Sequence, residues 1–492
     1  MISSKRLTKN LTRGALCLAL GLCFYTTQVY AYSLLNSHAS QATFFGLNSG
    51  DRSDLSLFEA TELEFGFDYT SYMGTVDSET SIAYSSLNLS GRAAKRGSIL
   101  ETAIQGEGFF TTNDTAFSFF EVSEAYFGTS RNLSPAQAHI GRKLVTWNHL
   151  DEEWGLGIWQ PRFRWDYLHP SISGLSGLHG SYESESFRMA AFASPLFIPE
   201  RGASHSVNDG EFETASPWVL SPSSRMELFG QKTPVVYTLD MPPVTDLVIN
   251  YGASVMARVG EMKGPWASAG YAYKPINQIL IGYEGNFSHP KEQVEVTLHP
   301  RVAYHHLYSA ETGFIGENMR IWASVLHENP ERDTTPATWT TQEIGATTSA
   351  SARADYDLYG TGTRATTVHL SYLKTWATVV PDLGPLSNGS ATFDSRYPFT
   401  QALALGFRSP LPGFLGEKFY FASRFTRDLT YDGSILSGEL EFNTSHHWRM
   451  GVGIDLLGSD RDISGVPAGA PLDFISRYRA NDRFHGGVTY VF

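Results

Sequence analysis

The chain has 492 residues, of which 42% are hydrophobic and 13% aromatic, and its formal net charge at pH 7 is −13. An acidic balance argues against nucleic acid as a partner, because binding to phosphate groups requires a basic surface. Both cysteines, Cys17 and Cys23, lie in an N-terminal stretch that we expect to be removed, which excludes a secreted domain held together by disulfides.

Residues 1–31 have the pattern of a cleaved secretory signal peptide. Four basic residues precede an apolar run from Ala15 to Tyr25, and Val29 and Ala31 provide small residues at the cleavage site. The run is too short to cross a membrane as a helix. Cleavage removes the four positive charges and takes the net charge from −13 to −17. Residues 32–59 show no clear alternation and are expected to form a separate N-terminal segment.

The first convincing strand covers residues 62–69. A strand places successive side chains on opposite faces, so this stretch presents an apolar face and an acidic one. The apolar face carries Leu63, Phe65, Phe67 and Tyr69. The other face carries Glu62, Glu64 and Asp68, which are candidates for a water-filled lumen backed by lipid.

Alternating segments recur from here to the C-terminus, and twenty can be counted along the sequence. The segments at 174–182 and 232–240 are the weakest, and eighteen strands remain without them. Short connections are predicted at 94–98, 275–277, 360–362 and 445–446, and long ones at 146–173, 195–231, 378–396 and 458–482. Even strand numbers and alternating short and long connections predict an all-β, antiparallel, up-and-down transmembrane barrel of 18–20 strands. A secreted β-sandwich or propeller is the alternative.

The last nine residues, 484–492, alternate between an aromatic face and a mixed one. This strand, which ends with Tyr490, Val491 and Phe492, resembles the C-terminal strand of bacterial outer-membrane β-barrels. The resemblance implies recognition by the barrel-assembly machinery, a Gram-negative outer membrane containing lipid and lipopolysaccharide, and a barrel over residues 60–492. Residues 32–59 would then be periplasmic. Since lipid cannot satisfy an open sheet edge, the last strand must pair with the first.

The segment 146–173 is the most unusual connection. It holds an acidic cluster, two arginines and four of the ten tryptophans, among them the site candidates Asp151, Glu152, Glu153, Trp154, Trp159, Arg162, Arg164 and Trp165. One interpretation is a constriction folded into the pore, where opposed charges select permeants and exposed aromatic rings form a sliding surface. The other is an external loop packed on its own tryptophans.

Two short motifs precede this segment: Glu124-Ala125-Tyr126 in one strand and Gly141-Arg142 in the next. Together they resemble large specific porins and alginate-export-type channels, which implies a porin-like channel and leaves the substrate open. Strict alternation places Arg142 on the lipid face, where a charge would cost about 2–4 kcal/mol. Either a bulge redirects Arg142, or it lies near an interface and Lys143 points into the lumen.

The sequence contains no convincing enzyme, cofactor or metal motif. His369 and Ser371 share a face of one strand, but that face is the polar one, where both residue types are ordinary in a barrel. We therefore expect a channel for passive diffusion of small solutes, with 146–173 as the candidate constriction. A polysaccharide-export barrel with a periplasmic partner and a plugged structural or adhesin barrel remain as alternatives. The permeant, the gating and the oligomeric state stay open.

Overall fold

A computed structural model describes residues 59–73, 83–112, 118–202, 205–331, 335–359, 366–377, 396–410, 419–460 and 473–492, apart from positions 215, 220, 221, 223, 229, 262, 337, 342, 343 and 446. The expected signal peptide and all but the last residue of the expected periplasmic segment lie outside these residues. No helix among the described residues is long and apolar enough to span a bilayer.

Eighteen strands form a single sheet in which each strand is antiparallel to the next one in chain order. The strands are β1 Glu59–Tyr72, β2 Ala83–Arg96, β3 Leu100–Thr111, β4 Phe119–Thr129, β5 Ala136–Lys143, β6 Leu175–Glu183, β7 Phe187–Ser194, β8 Gly252–Gly260, β9 Gly264–Pro275, β10 Tyr304–Ile315, β11 Met319–Pro330, β12 Thr347–Tyr359, β13 Thr366–Ala377, β14 Gln401–Pro410, β15 Phe419–Asp428, β16 Gly433–Asn443, β17 Trp448–Ser459 and β18 Arg483–Val491.

The sheet closes because β18 pairs with β1. The register runs from Glu64 opposite Val491 to Tyr72 opposite Arg483, and the amide of Phe492 donates to the carbonyl of Leu63 at 2.9 Å. Closure leaves no open edge in the ring, which is the condition for a sheet to lie in lipid. The predicted all-β barrel, and the predicted pairing of its last strand with its first, are confirmed.

The two faces of β1 follow the predicted alternation. Leu63, Phe65, Phe67 and Tyr69 are 45%, 46%, 41% and 40% exposed on the outer surface. Asp68, between two of them in sequence, is buried on the inner side. The same pattern recurs around the ring, with outward-facing Ile321, Val325, Leu370 and Leu405. A contiguous apolar outer surface of this kind requires an apolar solvent, and a bilayer supplies one.

The connections at the two ends of the barrel differ in length. The end that holds the first residue of β1 and the last of β18 has eight connections of three to eight residues, and we call it the turn end. The opposite end, the loop end, carries longer connections, including 144–174 and 195–251. Here the predicted short turn at 275–277 is wrong, because Pro275 closes β9 at the loop end and the next barrel strand begins at Tyr304.

Two of the twenty predicted strands lie outside the barrel. The stretches predicted at 232–240 and 277–287 form Gln231–Leu239 and Leu280–Ser288, whereas the doubtful 174–182 is the barrel strand β6. With Arg225–Leu228, Gln293–Arg301 and Thr340–Thr341 they build a separate five-stranded sheet from three loop-end connections. Alternation in the sequence does not distinguish these strands from barrel strands, because both kinds of strand have one covered face and one exposed face.

Candidate pore-constriction segment

Residues 146–173 lie inside the barrel, and we call them the inner segment. They begin with a short helix, α1 His149–Trp154, which Asn148 caps by accepting a hydrogen bond from the amide of Asp151 at 2.9 Å. Gly155 ends the helix with φ of 61°, a left-handed conformation that favours glycine. The Asn cap and acidic residues in the first turn are the local reasons why this stretch is helical.

The start of α1 is bound to β10 and β11. Asn148 Nδ2 donates to Glu311 Oε1 at 2.9 Å and to Ser324 Oγ at 2.9 Å. The amide of His149 also donates to Glu311, at 2.7 Å, and its Nδ1 lies 3.1 Å from the other carboxylate oxygen. The His149 ring packs between Trp266 and Trp322, with centroids 5.3 and 5.8 Å away. The Glu311 carboxylate raises the pKa of His149 against the opposing effect of burial.

The end of α1 is bound to the adjoining part of the wall. Trp154 Nε1 donates to Ser351 Oγ on β12 at 2.9 Å. The carboxylate of Glu153 accepts from Arg353 on β12, from Ser371 on β13 at 3.0 Å and from Arg424 on β15 at 3.0 Å. Glu153 is therefore neutralised by two guanidinium groups and is not a free charge in the lumen.

Asp151 and the two arginines of the inner segment maintain its own fold. The Asp151 carboxylate accepts hydrogen bonds from the amides of Ile158 at 2.9 Å and Trp159 at 3.0 Å. Arg162 donates to the carbonyls of Asp151 and Glu152 at 3.1 and 3.3 Å. Arg164 pairs with Glu200 and donates to the carbonyl of Leu156 at 2.7 Å. These three charged side chains bind and support the backbone of the inner segment.

The second half of the inner segment reaches the opposite wall. Trp165 packs in an aromatic cluster, with centroids 5.9 Å from Tyr84 on β2 and 4.5 Å from Phe109 on β3. His169 Nε2 lies 3.0 Å from Asp455 on β17, which raises the pKa of His169. Arg483 on β18 bridges Asp166 at 2.6 Å and Asp455 at 2.7 Å. The inner segment therefore spans the lumen between opposite walls.

The tryptophans serve packing. Trp147 and Trp159 stack with centroids 5.6 Å apart, and Trp154, Trp159 and Trp165 are 6%, 1% and 6% exposed. Trp147, Trp154 and Trp159 join lumen-facing residues such as Leu307, Leu326 and Leu373 in a hydrophobic cluster inside the barrel, whereas Trp165 belongs to the aromatic cluster with Tyr84 and Phe109. The expected sliding surface of exposed rings is not what the described residues form, because burying large rings is worth more than leaving them in water.

Two cavities flank the inner segment. A cavity of about 150 Å³ lies against β2 to β7 and is lined by charged side chains of both signs, including Arg92, Glu101, Glu124, Lys143 and Arg188. A cavity of about 250 Å³ lies against β12 to β16 and is lined by Arg353, Arg408, Arg424, Trp154 and Phe399 among others. Glu152 lines both cavities, and burial raises its pKa to about 7. Of the acidic cluster, Glu152 is the member that lines both cavities and forms no ion pair with a guanidinium among the described residues.

The other lumen candidates differ in their surroundings. Lys143 points inward, with Nζ 3.1 Å from His139 Nδ1 and 4.4 Å from the centroid of the Tyr126 ring. Glu64 faces the lumen and accepts from Arg449 at 3.2 Å. Asp68 is buried in the wall, and its carboxylate oxygens have no hydrogen-bond donor among the described residues. The side chain of Glu62 lies outside the described part of the chain.

Arg142 is the penultimate residue of β5, at the loop end, and its pairing with Ala125 and Ser176 runs through without a bulge. Gly141 adopts φ of 125°, and the Arg142 side chain donates to the carbonyls of Gly174 at 3.1 Å and Val122 at 2.6 Å. It also pairs with Glu121 at 2.9 Å.

The hydroxyl of Ser371 donates to Glu153 and not to His369, so the two residues do not have the geometry in which a histidine activates a serine nucleophile.

Sequence reasoning missed several wall residues that hold the inner segment, chiefly Glu311, Arg353, Asp455 and Arg483. Each lies on the inward face of a strand, so alternation marks it as lumenal. Their partners are 162 residues away for Glu311 and 286 for Asp455, and no local pattern encodes such pairings.

No family model and no curated protein matches the chain. Among solved structures it is similar to OccAB1 of Acinetobacter baumannii (9% identity, TM-score 0.47, 88% of this chain and 95% of that chain covered). It is also similar to OccK2 of Pseudomonas aeruginosa in complex with glucuronate (11%, 0.46, 90% and 99%). A third is OprD of the same organism (10%, 0.41, 88% and 92%).

The closed ring, its apolar outer face and its polar inner face decide the class. The chain folds as a closed β-barrel of the outer-membrane type, with eighteen strands. Lipid surrounds the strands of an outer-membrane barrel, so any solute that crossed this barrel would have to pass the lumen that the inner segment spans.

Proposed function

We propose that this outer-membrane barrel is a channel for passive diffusion of small solutes, with the inner segment as its constriction. The observation that supports the proposal is the attachment of residues 146–173 to opposite walls, with a cavity on either side. Passage would follow these cavities, where wall charge and pore width select the solute. No chemical step is required of any residue.

The charge distribution supports a different selectivity from the one expected from sequence. Asp151 holds backbone amides, and Glu153 is paired with Arg353 and Arg424. Glu152 is the remaining carboxylate of the cluster on both passages. A fixed charge acts within about 8–10 Å at physiological salt, so we propose that Glu152 gives a modest cation preference.

Planar-bilayer recording tests the proposal. Purified wild-type barrel should conduct, and replacing residues 149–170 by a short Gly-Ser linker should raise the single-channel conductance. Removing the loop-end hairpin at 206–213, which belongs to the 195–251 connection, is the matched control and should leave the conductance unchanged. Equal conductance for wild type and linker variant would place the inner segment outside the conducting path.

One observation favours a plugged structural barrel as the second candidate. The inner segment and the wall share a hydrophobic cluster that includes Trp147, Leu150, Trp159, Leu307 and Leu326. Burial of these side chains favours a segment that stays in place inside the lumen. A wild-type barrel that is folded in the membrane and does not conduct would favour this candidate, and conduction by the linker variant alone would identify the inner segment as the plug.

A further inference from the structure

Asp68 on β1 is a carboxylate with an unusual environment. Its side chain faces inward and the residue is 3% exposed, yet neither Oδ1 nor Oδ2 has a hydrogen-bond donor among the described residues. Burying a charged group without a partner is costly, so native carboxylates in such positions are paired, protonated or bound to a cation.

Two more oxygens without partners lie on the neighbouring strand. Ser86 Oγ and Asn88 Oδ1 are buried and make no hydrogen bond in the described structure. Ser90 on β2 donates to Glu64 on β1 at 3.3 Å, and a Cβ placed on Gly66 would lie 3.9 Å from Asn88 Cβ. In an antiparallel pair each step forward on β1 is a step back on β2, so the register with Leu63 opposite Gly91, extended along both strands, sets Ser86 across from Asp68.

On the other side of Asp68, the directly opposite residues of the next two strands are glycines. Gly487 on β18 is opposite Asp68, and Gly451 on β17 is opposite Gly487. On this side the carboxylate therefore faces backbone and not the side chains of residues directly opposite on β18 and β17.

Arg449, a basic residue on β17 one cross-strand row away from Asp68, already forms two ion pairs. Arg449 is opposite Thr489, which is opposite Gly66, and its guanidinium lies 3.2 Å from Glu64 and 3.5 Å from Glu441. Glu64 thus shows what a paired carboxylate looks like on this same face of β1. Asp68 lies four residues further along β1. Its neighbours on β2 are the side-chain oxygens of Ser86 and Asn88, whereas Glu64 has a guanidinium.

We propose that Asp68, Ser86 and Asn88 form a binding site for a hard cation in the barrel wall. The donor set consists of oxygens alone, as Ca²⁺ and Na⁺ prefer, and donors held in place by strand backbones suit the adaptable coordination of Ca²⁺ better than that of Mg²⁺, which demands near-ideal octahedral geometry. One carboxylate makes the site weak, with a Kd for Ca²⁺ of about 10⁻⁴–10⁻³ M. The site does not depend on the channel proposal.

Thermal unfolding of the purified full-length barrel in detergent tests the site. Titrating CaCl₂ against choline chloride of equal ionic strength should raise the Tm of the wild type, and MgCl₂ should raise it less. Asp68→Asn keeps the shape and removes the charge, so it should fold, lose the calcium response and be at least as stable as wild type without calcium. Ser86→Ala should shift the midpoint of the response to higher calcium concentration.

Glu64→Gln is the matched control, since it removes a paired carboxylate from the same face while Arg449 retains Glu441. It should keep the calcium response. An equal response in wild type and Asp68→Asn would place the bound calcium elsewhere and overturn the proposal. Absence of a response to calcium or sodium, with an infrared band of a protonated carboxyl that Asp68→Asn removes, would overturn it as well and make Asp68 a proton site.

Discussion

The carboxylate of Glu153 contacts the guanidinium of Arg353, a residue 200 positions later in the chain. The same carboxylate lies 3.0 Å from Arg424. One acidic side chain of the inner segment thus pairs with two basic side chains of the wall. These ion pairs link the position of the segment to the net charge of the larger cavity.

Replacing Glu153 by Gln should expose positive charge in that cavity. Arg353 would retain Asp355, at 2.6 Å, but Arg424 would lose its carboxylate partner. We expect the reversal potential under a salt gradient to move toward anions, and stability to fall by about 1.5–3 kcal/mol from the lost charged hydrogen bonds. Glu185→Gln, in an exposed turn at the turn end, is the control. An unchanged reversal potential would contradict the role of Glu153.

Asp151→Ala should act on stability and not on selectivity. The substitution removes the acceptor for the amides of Ile158 and Trp159, each bond to a charged group being worth about 1.5–3 kcal/mol. We expect a lower unfolding temperature and noisier single-channel current, since the turn after α1 loses its support. A clean selectivity change at wild-type stability would show that Asp151 faces the conducting path.

Glu152 should make ion selectivity depend on pH. Burial raises its pKa from 4.5 to about 7, so the folded protein binds a proton there that the unfolded chain releases at lower pH. Its effect on stability is therefore most favourable below about pH 4.5 and declines as the pH rises to 7. In the folded protein the charge of Glu152 appears around its pKa of about 7, so cation preference should increase from pH 5.5 to 8.5.

Recording the reversal potential at both pH values, with Glu152→Gln beside the wild type, measures this effect. The variant should show little change between them. A pH dependence that survives in Glu152→Gln would assign the titration to another group.

The fold was accessible from sequence because its determinants are local. Alternation in β1 separates Phe65 and Phe67 from Asp68, and the terminal Phe492 marks the closing strand. Strand membership was less accessible: Gln231–Leu239 alternates as barrel strands do and belongs to a loop-end sheet, since alternation reports a half-buried strand and not which sheet covers it.

The candidate site was accessible only as a segment. Its composition marks residues 146–173 as unusual, but the state of each carboxylate depends on distant partners. Asp151 and Glu153 are two residues apart and have unrelated roles, because one meets amides of its own turn and the other meets arginines of β12 and β15. Such differences follow from the tertiary pairing alone.

The orientation of the barrel can be tested with single cysteines, because no cysteine follows position 23. Glu227 is exposed in the loop-end sheet, and Ser445 is exposed in a connection at the turn end. We expect the loop end to face outward, so an impermeant maleimide should label Glu227→Cys on intact cells and miss Ser445→Cys until the outer membrane is opened. The reverse labelling would invert the topology.

Deleting residues 484–492 should prevent assembly, because it removes nearly all of β18. The first strand would lose its partners from Glu64 to Ser71, and both β1 and β17 would become open edges in lipid. We expect degraded or aggregated protein in the periplasm and no heat-modifiable band in membrane fractions.

Phe492→Ala removes the terminal aromatic ring and keeps the backbone pairing between the C-terminus and β1, so it tests the two contributions separately. Phe492 is 66% exposed and packs on Tyr490 with centroids 4.8 Å apart, while its amide still reaches Leu63 in the variant. The ring adds little to the folded sheet, so purified variant should unfold near the wild-type temperature. If Tyr490 and Phe492 form the assembly signal, the variant should nevertheless insert more slowly in cells. Normal insertion of Phe492→Ala would limit the role of this terminus to closing the sheet.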